Sequence, residues 1–323
     1  MSAVKLRIGT RASALALWQA RHVETLLRAQ PGARQVELVH IRTSGDAQRE
    51  VPLWQTEGRA FFTREIDAAL AERSIDVAVH SLKDLPTALA PGLALGATLA
   101  REDPRDALLT RTGVSLRQLP ARARIGTSSL RRRAFIARIR PDAVPVELRG
   151  NVPTRIERLK RGDYDAIILA AAGVTRLGLR EHVTEYLSPE EFPPAVSQGV
   201  IGVCARADDE PTLDLLRALD DAAARLAVSA ERALLARLEG GCQVPLGALA
   251  ERRGDALDLQ AAVCALDGSR ELRARGTVTA TRGAALATAD AAALGERIAE
   301  ELLGAGAASL IAHERAALAV TAP

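Results

Sequence analysis

The tetrapeptide Arg-Ile-Gly-Thr occurs twice, at positions 7–10 and 124–127, and each copy closes a strand-like run, passes through a polar turn and opens onto a helix. The echo continues beyond these four letters. Val-Glu-Leu recurs at 36–38 and 146–148, and an aspartate leads a further strand at Asp76-Val-Ala-Val79 and at Asp165-Ala-Ile-Ile168. The spacing between landmarks differs, so what is duplicated is a topology. Val- and Ile-rich strands alternating with helices predict α/β units with a largely parallel sheet, and two such units predict two similar lobes. Ligands of such sheets collect at the strand C-termini.

Acids and prolines cluster near Arg101 to Pro104 and from Leu187 to Pro194, where breaks between lobes are expected. Beyond about Asp220 the pattern changes to a helix from Ala222 to Leu238, the run Gly240-Gly241-Cys242, three short strands from Leu246 to Val278, and a final helix through Leu303. This reads as a smaller C-terminal α+β domain. A glycine pair directly after a helix favours a left-handed cap, which puts Cys242 on a turn.

Several function classes lose support from composition. Aromatics are 2% of the 323 residues, too few to stack bases, and the formal charge of +3 comes from arginines interleaved with acids. No nucleic-acid partner is expected. The apolar run Ala12 to Ala20 follows a strand (Val4 to Gly9) and continues as an amphipathic helix carrying Leu15, Trp18, Val23 and Leu26 or Leu27, unlike a signal peptide. No stretch reaches the ~20 apolar residues of a membrane span. The three cysteines, Cys204, Cys242 and Cys264, form no CxxC pair and leave an odd thiol, which fits a reducing cytoplasm and no metal knuckle.

Three loops set arginine beside small hydroxyl or glycine residues ahead of a helix: Thr10-Arg11-Ala12-Ser13, Thr127-Ser128-Ser129-Leu130-Arg131-Arg132, and Arg149-Gly150-Asn151-Val152-Pro153-Thr154-Arg155. Helix-start N–H groups and guanidinium forks both favour carboxylate or phosphate. Any single loop is better explained by capping, but three at equivalent strand ends shift the balance towards a polyanionic ligand. His80-Ser81-Leu82-Lys83-Asp84-Leu85-Pro86 follows another strand and sets an acid beside a lysine, where protons could be handled. His80 itself reads as a satisfied strand-end residue. Cys204 and Cys264 lie in apolar strands as small hydrophobes, whereas Cys242 on its turn could be a nucleophile or attachment point.

Taken in order, RIGTRASALALWQA, DVAVHSLKDLP, REDPRDAL, GTSSLRRR, LRGNVPTR, YDAIILAAAG and LEGGCQVP resemble the porphobilinogen deaminase (hydroxymethylbilane synthase) family from Leu6 to about Leu303. The resemblance implies two lobes similar to type II periplasmic binding proteins, with residues 1–99 and 200–217 in domain 1 and 105–193 in domain 2. Residues 222–323 form domain 3, which carries the cofactor. It implies a transferase of tetrapyrrole, porphyrin and heme biosynthesis, monomeric and cytoplasmic. The implied reaction joins four porphobilinogens head to tail with loss of ammonia, then releases hydroxymethylbilane by hydrolysis.

The implied cofactor is a dipyrromethane in thioether linkage to Cys242, with no metal. Lys83, Asp84, Ser129, Arg131 and Arg132 are assigned to it, and Arg11, Ser13, Thr127, Ser128, Arg149, Arg155 and Arg176 to the acidic side chains of porphobilinogen and the growing polypyrrole. Asp84 is the implied catalytic residue, a fixed negative charge beside the cationic azafulvene. Two departures from the family pattern stand out: Gln55 and Glu57 reduce positive charge in the segment from Ala47 to Ala60 that the resemblance implies is a lid, whose contacts Arg59 and Phe62 are expected to preserve, and Ser197 replaces a hinge glycine. A non-catalytic two-lobed anion-binding protein, with Cys242 incidental, is the alternative.

Overall fold

The computed structural model describes residues 5–30, 35–43, 63–238, 244–280 and 285–320. The first lobe opens with β1 (Leu6–Thr10), α1 (Ala14–Arg28), β2 (Val36–His40), α2 (Arg64–Ala71), β3 (Val77–Ser81) and β4 (Leu93–Thr98). The chain then builds β5 (Asp106–Thr110), β6 (Arg124–Gly126), α3 (Leu130–Ile139), β7 (Val144–Val146), α4 (Val152–Lys160), β8 (Ala166–Ala170), α5 (Ala171–Arg176) and β9 (Glu185–Tyr186) in the second lobe. It returns to the first through β10 (Ile201–Arg206) and α6 (Glu210–Arg217).

The two sheets have matching orders, β2-β1-β3-β10-β4 and β7-β6-β8-β5-β9. Equivalent strands repeat equivalent bonds. Asp76 accepts from the Arg7 backbone N–H at 3.0 Å and Asp165 from that of Arg124 at 2.7 Å, each locking the central strand that it leads to its parallel neighbour. The expectation of largely parallel sheets needs correction at one strand per lobe: β10 runs antiparallel to β3 and β4, and β5 antiparallel to β8 and β9. The cause is the connectivity. Ile201 starts opposite Ser81 and Asp106 opposite Ala170, so each incoming strand enters where the parallel strands end and must run back against them. Both crossovers therefore lie at the ligand end of the sheets.

Helix α1 turns its buried residues Ala20, Val23 and Leu27 to the sheet, while Trp18, expected in the same stripe, is left 36% exposed. Leu15 instead lies across Gly173 of the second lobe. The C-terminal domain consists of α7 (Ala222–Arg237), an antiparallel sheet of β11 (Leu246–Arg253), β12 (Ala256–Cys264) and β13 (Glu271–Thr279), then α8 (Thr288–Gly304) and α9 (Ala307–Val320). Its strands are eight or nine residues long, longer than expected, and α9 was not anticipated because its alanine-rich sequence lacks a clear apolar stripe. Leu234, Leu257, Leu259, Ile298 and Leu302 fill the space between α7, α8 and the sheet. Gly295 permits the closest helix approach, since a Cβ there would overlap the Ala230 carbonyl oxygen.

The three units meet on one carboxylate. Glu231 of α7, fully buried, takes both terminal nitrogens of Arg101 from the first crossover at 2.7 and 2.8 Å, the Ser197 N–H from the second at 2.6 Å, and the Ala250 N–H of β11 at 2.8 Å. Ser197 holds a left-handed φ of +62°, and Gly199 is required two residues on because a Cβ at its φ of +91° would strike the Glu102 carbonyl. Breaking a buried pair from one side strands the other charge and typically costs about 3–5 kcal/mol. Glu231→Ala is accordingly expected to lower the thermal unfolding midpoint by several degrees, measured by calorimetry; an unchanged midpoint would show that the junction contributes little.

Candidate active site

The expected site residues come from both lobes and gather at these strand ends. Lys83 and Asp84 ride a single 3-10 turn, Leu82–Asp84, anchored by the buried Leu82, whose N–H donates to Val200 O at 2.9 Å. Ser13 caps α1 by accepting from Ala16 N–H at 3.3 Å, and Arg11 directly follows β1. In the second lobe Ser129 caps α3 and Asn151 caps α4, their side chains accepting from Arg132 N–H at 3.4 Å and Thr154 N–H at 3.0 Å. Thr127 Oγ1 accepts from Ser129 N–H at 3.2 Å, and Ser128 Oγ donates to Leu148 O at 2.5 Å. Both hydroxyls thus shape the loop. Arg155 Nε donates to Gly150 O at 2.7 Å, which folds its guanidinium back over the start of α4.

Arg131 and Arg132 meet a partner that the motifs did not reveal. Asp106, the fully buried first residue of β5, accepts from Arg131 Nη1 at 2.7 Å, and from Arg132 Nη2 at 2.7 Å and Nε at 3.1 Å. Two guanidiniums hold its carboxyl far below the usual range, against a large opposing effect of burial. Gln198, also buried, links this group to the other lobe: its amide donates to Asp106 at 3.1 Å and to Pro104 O at 2.8 Å, while its oxygen accepts from Lys83 Nζ at 3.1 Å. A continuous polar chain therefore runs from Lys83 through the return crossover to the α3 arginines.

One aspartate does not balance these cations. Arg131 Nε is buried without a hydrogen-bond partner. Burial pushes Lys83 down to about 8, with Arg132 and Arg131 adding to the fall and Asp84 and Asp106 opposing it. Arg155 is pushed down to about 10, by burial first and then by Arg132 and Arg149, partly offset by Glu147 and Asp84. Arg176, donating to Gly199 O at 2.6 Å, is likewise lowered to about 10 by burial. Desolvated cations crowded together are relieved by an anion, so the donor set fits a group bearing several carboxylates.

Lys83 gives this a pH signature. Its folded pKa lies below the ordinary 10.5, so the cation is present below about pH 8 and lost above it. Anion binding at this site should then weaken as pH rises through 8. The corresponding stability effect has the opposite sense, because the unfolded chain binds the extra proton between 8 and 10.5 and stability rises with pH there. In cofactor-free protein, a loss of polycarboxylate affinity as pH rises through 8, which Lys83→Arg removes, is the expected result, measured by calorimetry.

Of the remaining candidates, His80 is buried and pushed down to about 4, by burial first and then by Arg11, so it is neutral at physiological pH. Its Nε2 has no hydrogen-bond partner, contrary to the satisfied role expected. Cys204 and Cys264 are buried, with thiols pushed up to about 12 by burial, which makes them unreactive. Cys242 and the segment from Ala47 to Ala60, with Gln55, Glu57 and Arg59, lie outside the described residues, as does Phe62. Among the described residues no cluster of three or more His, Cys, Asp or Glu could hold a metal, and no helix is long and apolar enough to cross a membrane. A separate cavity of about 660 Å³, lined by Thr110, Arg111, Lys160, His182 and Thr184, contains none of these site residues.

Two α/β lobes of matching topology, joined by two crossovers at the ends of their parallel strands and lined there by clustered cations, define a two-lobed protein with a cation-rich site at the lobe junction. The family model for "porphobilinogen deaminase, dipyromethane cofactor binding domain" matches residues 6–214, and that for "porphobilinogen deaminase, C-terminal domain" matches residues 225–304. The chain belongs to the porphobilinogen deaminase family. It is 49% identical over 307 residues to porphobilinogen deaminase of Roseiflexus sp. (strain RS-1), covering 95% of this chain and 98% of that one. To the Trichlorobacter lovleyi protein of the same name it is 46% identical over 311 residues, covering 96% and 97%. Among solved structures, the methionine binding protein MetQ aligns with a TM-score of 0.44 at 12% identity, over 67% of this chain and 89% of that one.

Proposed function

We propose that this protein is a porphobilinogen deaminase working on a dipyrromethane held covalently by Cys242, condensing four porphobilinogens with loss of ammonia and releasing hydroxymethylbilane by hydrolysis. The observation that carries the reading is the linked set of buried and half-buried cations shared between the lobes, in a chain matched over residues 6–214 and 225–304 by the two family models. Each pyrrole brings two carboxylates, so a growing chain supplies the anions that this site lacks. When bound, the dipyrromethane supplies the nucleophilic pyrrole carbon from which the chain extends.

The chain's own residues divide the remaining work. Lys83, Ser129, Arg131 and Arg132 hold the cofactor's carboxylates, with Asp106 and the Pro193 and Ile168 carbonyls fixing the two guanidiniums in place. Arg11, Ser13, Thr127, Ser128, Arg149, Arg155 and Arg176 receive the incoming pyrrole's acetate and propionate. Arginine suits this because its planar fork matches a carboxylate. Asp84 is the catalytic residue: its carboxylate faces the substrate nitrogens, stabilises the positive charge that develops as ammonia leaves, and exchanges protons there. The reading carries the family's cytoplasmic, monomeric character.

Incubation of the purified protein with porphobilinogen, with ammonia and tetrapyrrole quantified together, tests this. The reaction requires one ammonia per porphobilinogen consumed and one linear tetrapyrrole for every four. A non-catalytic anion-binding protein would bind porphobilinogen saturably and release no ammonia.

A further inference from the structure

Arg176 differs from the other buried arginines in what holds it. Arg131, Arg132 and Arg206 each sit on a carboxylate. Arg176 is 9% exposed, donates to the Gly199 carbonyl at 2.6 Å, and places its guanidinium 5.8 Å from the centre of the Trp18 ring. A carbonyl and a π face both attract a cation without cancelling its charge, and Glu102 acts on it only at a distance, with no ion pair between them among the described residues. Arg176 is therefore oriented while its positive charge remains for a ligand.

Trp18 is placed for this work and poorly placed for another. It projects from α1 of the first lobe, 36% exposed, while its neighbours Ala20 and Val23 are fully buried. The ring thus contributes little to the lobe's core. His22, one turn further on, stacks against it with centroids 5.2 Å apart and planes 18° apart, which restrains the ring. Burial first, and then Arg176, lower the His22 pKa, so the neighbour of the cation is neutral near pH 7 and adds no repulsion. The contact joins the lobes, since Arg176 ends α5 of the second.

We infer that Trp18 is a positioning residue for substrate binding: its ring face, steadied by His22, holds the Arg176 guanidinium across the lobe junction so that its charge meets a carboxylate of the incoming pyrrole. This rests on the porphobilinogen deaminase reading, and its test separates the two. A double-mutant cycle of Trp18→Leu and Arg176→Gln, with Trp18→Phe alongside, is measured for KM, kcat and thermal midpoint, and for calorimetric binding of porphobilinogen to the Asp84→Asn holoprotein.

Losing a partly desolvated cation–π contact should raise KM, and weaken the calorimetric affinity, by about 3- to 30-fold. Trp18→Phe, which keeps a ring face, should recover most of the loss, with kcat and the thermal midpoint nearly unchanged. In the Arg176→Gln background Trp18→Leu should add less than about twofold. Additive effects in the cycle, or equal losses in Trp18→Leu and Trp18→Phe, would overturn the positioning role. If Trp18→Leu fails to fold, Trp18→Met, which also lacks a ring face, completes the cycle with Arg176→Gln under the same criteria. An active wild type with additive mutants removes only this inference, whereas a wild type that consumes no porphobilinogen removes the functional reading on which it rests.

Discussion

Asp84→Asn should lower porphobilinogen turnover by about 10³-fold or more while leaving the fold and the covalent cofactor in place. The amide preserves the shape of the side chain and removes its charge, so the loss reports electrostatics. Asp84 is exposed on its 3-10 turn and has no hydrogen bond or ion pair among the described residues, so folding does not depend on it. The surroundings make its charge count. Lys83, Arg132 and Arg155 crowd this end of the cleft, and Asp84 is a carboxylate that both Lys83 and Arg155 sense across it. Without it a cation must develop among fixed cations, and removal of a single preorganised group of this kind typically costs about 10²–10³ in rate, with a further factor where the group also moves a proton. Single-turnover and steady-state assays should show the same loss; turnover within a factor of about two of wild type would remove Asp84 from the catalytic role.

Cys242→Ala is expected to yield a folded protein with no bound pyrrole and essentially no turnover. The structure makes substitution by another thiol unworkable. Cys204 lies fully inside the first lobe beneath α2 and α7, and Cys264 is buried where β12 packs against the second lobe, its Sγ 3.7 Å from Ala134 O. With both thiols pushed up to about 12, neither supplies thiolate at neutral pH. Cys204→Ala and Cys264→Ala should therefore retain the adduct and serve as controls. Pigment surviving in Cys242→Ala would reassign the attachment.

Local patterns made the lobes legible. The paired Arg-Ile-Gly-Thr segments occupy equivalent strands, second in each sheet, and the aspartates ahead of β3 and β8 make equivalent bonds, because a strand's start and its flanking turn are encoded within a few residues. The capping residues Ser13, Ser129 and Asn151 were readable for the same reason. What spacing could not show was pairing across the fold. Asp106 lies 25 residues from Arg131, and Arg101 lies 130 from Glu231, so neither pair leaves a local signature although each decides how a charge is used. The antiparallel strands β5 and β10 were missed likewise, since strand direction follows from where the chain crosses between lobes. Trp18 shows the limit of periodicity: its helical spacing matched the apolar stripe, yet the ring faces a guanidinium of the other lobe.

The central claim is that this cleft serves a pyrrole chain anchored to Cys242, and the intact mass of freshly purified protein, followed by peptide mapping, tests it most directly. The account predicts an excess equal to two linked pyrroles, carried on the peptide that contains Cys242. An unmodified Cys242 in protein from a porphobilinogen-producing host, still unmodified after incubation with porphobilinogen, would contradict it and leave a two-lobed binder of anions.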